Sequence, residues 1–174
     1  MVYGYRGAYS NEVRISKDMT GYLIDQTCRF PQPPTSLMCL MYENFSEVLW
    51  EVASGNVPTV KYKESHGVQL IIKSDLAKME EPVAVQFPYE YVDNIDIKSL
   101  VVDDNGTWYF NPSNYDMKEI GSISATGKSM KDALNKATKI AKLVKGFDIK
   151  VNTDCIEDAE KQIADLHKNG INYL

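Results

Sequence analysis

Cysteine is scarce and histidine scarcer: the 174 residues hold three of the first and two of the second. Cys28, Cys39 and Cys155 are widely spaced and form no Cys-x-x-Cys pair. A disulfide framework is therefore unsupported, as is a structural zinc site, which needs about four clustered sulfur or nitrogen ligands. Reduced thiols in the cytoplasm are the expectation. No apolar run approaches the roughly 18 residues of a membrane span, and the opening MVYGYRGAYS has no apolar signal core. Positive charge is not in excess either. The formal net charge of -5 argues against a general nucleic-acid surface and leaves room only for a local basic patch. A nucleophile elbow, a metalloprotease His-Glu-x-x-His and an EF-hand loop are all missing. His66 has no serine or cysteine that sequence can pair with it, so its expected role is structural.

What is present is ordinary globular material, 44% hydrophobic and 25% charged, enough for one domain or two small ones. The most informative stretch is Gly21 to Thr35, GYLIDQTCRFPQPPT. Strict alternation sends Tyr22, Ile24 and Gln26 one way and Leu23, Asp25 and Thr27 the other. Arg29 continues the second parity, and Pro31, Pro33 and Pro34 end the pairing. An acid, a hydroxyl and a guanidinium on one strand face can meet a divalent ion and its phosphate. Alternate polar residues also make a solvated face, which is their commoner role. Upstream, Glu12-Val13-Arg14-Ile15-Ser16 alternates, and Lys17-Asp18-Met19-Thr20-Gly21 reads as a hairpin turn. Glu12 could bring a second carboxylate to Asp25 across that hairpin, although an exposed cross-strand charge is its expected part.

After the prolines, Phe45, Val48, Leu49 and Val52 form a helical stripe between an N-cap at Asn44 and a stop at Gly55. Trp50 lies off the stripe and is expected to pack on the sheet. Short strands follow at Val60–Tyr62, Val68–Ile72, Val83–Phe87, Leu100–Val102, Thr107–Phe110 and Ile120–Thr126, with a hairpin signal at Asp104-Asn105-Gly106. Two helices close the chain. The first starts at Ser129-x-x-Asp132 and buries Ala133, Leu134, Ala137, Ile140 and Val144, with lysines on its solvated face. The second starts at Asp154-x-x-Glu157 and buries Ile156, Ala159, Ile163 and Leu166. This order argues α+β with mostly antiparallel pairing. Ala125-Thr126-Gly127-Lys128-Ser129 imitates a phosphate loop, but five residues separate Gly121 from Gly127 where four are required. A turn capping the next helix accounts for it better, with anion binding at that helix start left open.

The run Tyr5-Arg6-Gly7, Lys17-Asp18, Asp25-Gln26-Thr27-Cys28-Arg29-Phe30 and Pro33 resembles the ATP-grasp ligases, in the branch of glycinamide ribonucleotide synthetase. The segment Glu47 to Gly55 is similar to a helix of that family. Gly121 to Gly127 with Lys131-Asp132-Ala133-Leu134 resembles its carboxy-terminal strand, turn and alanine-rich helix. The resemblance runs from Tyr5 to Gly146.

The resemblance implies an antiparallel sheet from the second lobe of an ATP-grasp fold over residues 1–56. A small β-rich carboxy-terminal domain with two helices would then occupy 57–174. It implies a carboxy-terminal fragment of an ATP-dependent carboxylate–amine ligase acting on a small-molecule substrate. By the resemblance Asp25 and Thr27 stand where the family's glutamate and asparagine hold magnesium, and Arg29 matches the arginine that serves catalysis at the phosphorylated intermediate. Pro31-Gln32 and Pro34 replace a glycine-aspartate pair and a glutamate of the family pattern. Magnesium and ATP belong to the full-length parent, with none expected on this chain alone, because the partner that holds the nucleotide is the missing amino-terminal ATP-grasp lobe. No nucleic acid and no membrane is implied. The alternative is a non-catalytic binding or structural module that kept the fold and lost the metal–nucleotide site.

Overall fold

Apolar alternation and proline or glycine punctuation produce an α+β architecture with antiparallel sheets. The computed structural model describes residues 4–32, 34–112, 118–153 and 155–171, with the backbone alone described at 155, 156 and 159. The chain divides into two compact units, Met1–Ser65 and His66–Leu174. Among the described residues, no helix is long and apolar enough to cross a membrane.

The first unit opens with a hairpin of β1 (Ser10–Ile15) and β2 (Gly21–Thr27). Two short helices follow, α1 (Thr35–Met41) and α2 (Phe45–Ser54). Gly55 ends α2 at φ 87, a left-handed conformation that glycine adopts without steric cost. Asn44 sits at the N-cap position, but its side chain turns elsewhere: Nδ2 donates to Thr59 O at 3.0 Å and Oδ1 accepts from Lys61 N at 2.9 Å. The anticipated strand Val60–Tyr62 is reduced to an isolated bridge between Tyr42 and Tyr62, whose rings meet edge-on at 5.3 Å. Trp50 is 73% exposed and does not pack on a sheet. The α2 stripe is only half-buried, with Leu49 exposed. Among the described residues of this unit, no side chain is fully buried.

The second unit is built differently. Its main sheet has the order β5-β8-β3-β9, from β3 (His66–Ser74), β5 (Ile95–Ile97), β8 (Glu119–Gly127) and β9 (Ile149–Val151). Val68, Leu70 and Ile72 of β3 and Ile123 and Ala125 of β8 meet α3 (Met130–Ala141), which buries Ala133, Ala137 and Ile140. A second sheet, β4-β7-β6, joins β4 (Val83–Val85), β6 (Leu100–Val102) and β7 (Trp108–Phe110) and sends Val83, Val85 and Phe110 into the same core. The hairpin at Asp103–Thr107 closes as its residues require: Gly106 takes φ 78, and Asp103 Oδ1 accepts from Asn105 N and Thr107 N. Strands β5 and β9 are three residues long and too short for alternation to reveal. α4 (Cys155–Lys168) leaves Ile163 and Leu166 half-buried; its expected start at Asp154 lies outside the described residues, as do the side chains of Ile156 and Ala159.

An ionic cluster ties β9 to the end of β3. Asp75 pairs with Lys118 and, at 2.6 Å, with Lys150, which also reaches Asp148 at 3.0 Å. Hydrogen bonds from Lys118 and Lys150 pull the Asp75 carboxyl down to about 2. A carboxyl depressed on folding stabilises the native state above its unfolded value near 3.8, and that contribution disappears as pH falls through about 2. Asp75→Asn is therefore expected to lower stability at neutral pH and to flatten the acid limb between about pH 4 and 2, as read by urea melts across that range. An unchanged acid limb would show that the cluster is too solvated to matter.

Candidate functional site

The β1–β2 hairpin carries the candidate site residues Asp25 and Thr27, with Arg29 just beyond it. Its turn is closed by Ser16 N to Thr20 O at 3.0 Å and Met19 N to Ser16 O at 2.9 Å, with Met19 in the left-handed region at φ 64. Hydrogen bonds from Ser16 and Thr20 hold the Asp18 carboxyl below its usual value. From this turn Ile15 pairs with Gly21, Arg14 with Tyr22 and Val13 with Leu23. The next pair is Glu12 with Asp25, so Ile24 stands unopposed as a β-bulge. Asn11 then pairs with Gln26, and Ser10 with Thr27.

Paired residues of an antiparallel ladder share a face, and the bulge therefore resets the parity. Ser10, Glu12 and Arg14 share a face with Thr27, Asp25 and Tyr22. Leu23 goes to the other face with Val13, which corrects the strict alternation that had placed it beside Asp25. The acid is thus cleared of an apolar neighbour. It instead faces a second acid.

Asp25, Thr27 and Arg29 line one cavity of about 280 Å³, together with Ser10, Glu12 and Gln32. Asp25 and Arg29 are exposed and Thr27 is half-buried. The Thr27 hydroxyl shares a hydrogen bond of 2.6 Å with Ser10 Oγ, and Arg29 Nη1 donates to Phe30 O at 2.9 Å. Glu12 accepts from Arg14 at 2.7 Å. Two carboxylates directly opposite in a hairpin repel each other, with Cα atoms about 5 Å apart. Arg14 offsets one of them. A divalent cation would offset both.

The donor set suits magnesium bound by phosphate as well as by protein. That ion keeps several waters and takes one or two carboxylates plus substrate phosphates, not a cage of side chains. Among the described residues, no cluster of three His, Cys, Asp or Glu able to hold a metal occurs. Arg29 supplies the planar fork that a phosphate oxygen pair accepts. Glu12 is the exposed cross-strand charge expected of it, and it does stand opposite Asp25. Counting outward from the turn pairs it with Ile24; only the bulge delivers it to Asp25.

The phosphate-loop imitation resolves as a helix cap. Gly121 and Gly127 both belong to β8, and Ser129 Oγ accepts from Asp132 N at 3.1 Å. The Asp132 carboxylate accepts from Lys128 N at 3.3 Å and pairs with Lys136 at 3.1 Å. That carboxylate stands where a phosphate would bind, and its own pKa is lowered by Lys136 first and by the Lys128 amide second. Ser129→Ala is expected to cost about 1 kcal/mol in a denaturant melt of the second unit.

No protein-family model matches the sequence, and no curated protein does. Solved structures do. The phosphoribosylamine–glycine ligase of Thermotoga maritima superposes with a TM-score of 0.66 at 18% identity, over 82% of this chain and 35% of that one. The biotin carboxylase domain of the Hydrogenobacter thermophilus 2-oxoglutarate carboxylase, solved with MgADP, ADP and bicarbonate, gives 0.56 at 13% identity, over 86% of this chain and 34% of its own. The K. lactis urea amidolyase gives 0.54 at 13%, over 90% of this chain and 10% of its own. All three are ATP-grasp enzymes, so the chain shares the fold of a part of them. It spans about a third of the length of the first two and a tenth of the third.

Proposed function

We propose that this chain is the carboxy-terminal part of an ATP-dependent carboxylate–amine ligase similar to phosphoribosylamine–glycine ligase, and that its β1–β2 hairpin holds the magnesium and phosphate side of the nucleotide site. The reading rests on one observation above all: Glu12 and Asp25 face each other in a cavity that Thr27 and Arg29 also line. Asp25 and Glu12 bind the cation, and Thr27 orients toward it from the hydroxyl pair with Ser10. Arg29 steadies the phosphate oxygens of the acyl phosphate that an amine then displaces. Magnesium, when bound, neutralises charge that would oppose attack on the γ-phosphate.

The nucleotide's other walls come from an amino-terminal ATP lobe that is not part of this sequence. Two features favour such a partner. Among its described residues the first unit has no fully buried side chain, and its hairpin exposes Val13, Ile15, Tyr22, Leu23 and Ile24. A two-stranded hairpin is marginal in water without a further layer. The isolated chain should accordingly not turn over.

The second reading, a module that kept the fold and lost the site, draws on the replaced residues: Thr27 is a poorer ligand than an amide, and Pro31, Gln32 and Pro34 carry no charge. Manganese, as a paramagnetic substitute for magnesium, separates the two. Titrated in excess into the chain with ADP, so that contacts too weak for a stable complex still register, it should broaden the backbone amide resonances of Glu12, Asp25 and Thr27 first. Broadening spread evenly over the acidic surface, or absent from the hairpin, would favour the non-catalytic module.

A further inference from the structure

A second cavity of about 280 Å³ lies in the same unit and has the opposite chemistry. We propose that it binds a small amphipathic carboxylate, with an aromatic or branched aliphatic body against Met38, Val48 and Val52 and the carboxylate on Arg6. Phe30 and Tyr9 complete the apolar wall, and Arg6 is the only charged side chain lining it among the described residues. None of these residues is fully buried, so the cavity opens to solvent. A closed apolar cavity of about 150 Å³ already accepts benzene, and this one has nearly twice that volume.

Arg6 is held in place by the fold. Its Nη1 donates to Ala53 O at 3.2 Å, which fixes the guanidinium at the carboxyl end of α2. Gly55 makes the room: a Cβ there would lie 3.0 Å from Arg6 Cζ, and its φ of 87 disfavours a side chain in any case. Ala53 takes one of the five N–H donors that a guanidinium carries. A planar carboxylate matches the fork of the others. The charge at the rim selects against cations, and the wall selects against ligands without an apolar body. The hairpin cavity is lined almost wholly by polar side chains and offers no apolar wall for the body of such a ligand, so this site is additional to the nucleotide reading, with Pro31 bordering both.

The Met38 methyl resonance of the full chain reports occupancy. Three probes separate body from charge: 3-phenylpropionate, 3-phenylpropan-1-ol and propionate. The acid should shift Met38 saturably, the alcohol should bind about fivefold or more weaker, and propionate should leave the methyl unmoved. Arg6→Gln should bring the acid down to the affinity of the alcohol, Arg6→Lys should keep part of the difference, and Val52→Trp should fill the space and abolish both. Lys161→Ala, on α4 in the second unit, should leave the affinity for the acid unchanged. Equal affinity for acid and alcohol in the unaltered chain overturns the proposal, as does the absence of a saturable Met38 shift with every probe. A loss in Arg6→Gln that is as large for the alcohol as for the acid also overturns it, because the arginine would then be shaping the wall and not recognising charge.

Discussion

Asp25→Asn is expected to lower manganese affinity at the hairpin by about tenfold or more and to raise the thermal stability of the metal-free chain slightly. The two effects have one origin. Glu12 and Asp25 face each other across the ladder, and without a cation their repulsion works against the hairpin. Removing one charge relieves that repulsion and removes a ligand together. A purely solvated strand face would behave otherwise, since a single exposed acid with no facing acid neither destabilises its strand nor gathers a cation. Glu12→Gln should repeat the pattern, moderated by the release of Arg14 from its 2.7 Å ion pair. The measurement is the midpoint of manganese-induced amide broadening beside a thermal melt in chelator. Weaker metal binding with no gain in metal-free stability would leave the acids as ligands that do not repel. A gain in stability with unaltered broadening would remove them as ligands.

Gly121→Ala is expected to destabilise the second unit severely. Gly121 pairs with Ile72 on one side and Ile97 on the other, in the centre of the main sheet. A Cβ there would stand 2.3 Å from the carbonyl oxygen of Asp96 and 3.0 Å from Ile97 Cδ1. The first of these is backbone and cannot rotate away. Strand β5 must therefore separate from β8, which exposes Ile95 and Ile97, both now buried. Overpacking of this kind costs about 3 kcal/mol, or about 10 °C or more in the melting temperature of a domain this size. A melt shifted by only a degree or two would mean that β5 yields without consequence and that the three-residue strand contributes little to the core.

How far the residues alone could be read depends on the length of the pattern they offer. Ser129 before an alanine-rich stripe announced α3, and Asp104-Asn105-Gly106 announced the turn between β6 and β7, because each rests on contacts within a few positions. Ala133, Ala137 and Ile140 declared a buried helix face by periodicity, and they form it. Trp50 misled because an apolar residue implies burial only when something lies opposite it, and within this chain 73% of its surface meets solvent. The three-residue strands β5 and β9 escaped notice because pairing with β8 and β3, and not any preference of their own, makes them extended.

The candidate site divides along the same line. Composition and order established an α+β chain poor in cysteine and histidine, with Asp25, Thr27 and Arg29 at alternate positions before a run of prolines. Side-chain parity along one strand is local, so Asp25 and Thr27 at a spacing of two suffice to state it, whereas Arg29 lies past the end of β2 and parity no longer fixes its direction. Pairing between strands is not local, and one unopposed residue shifts it. The bulge at Ile24 turned Leu23 away from the acid and brought Glu12 opposite it, and that displacement exists only once β1 and β2 are hydrogen-bonded.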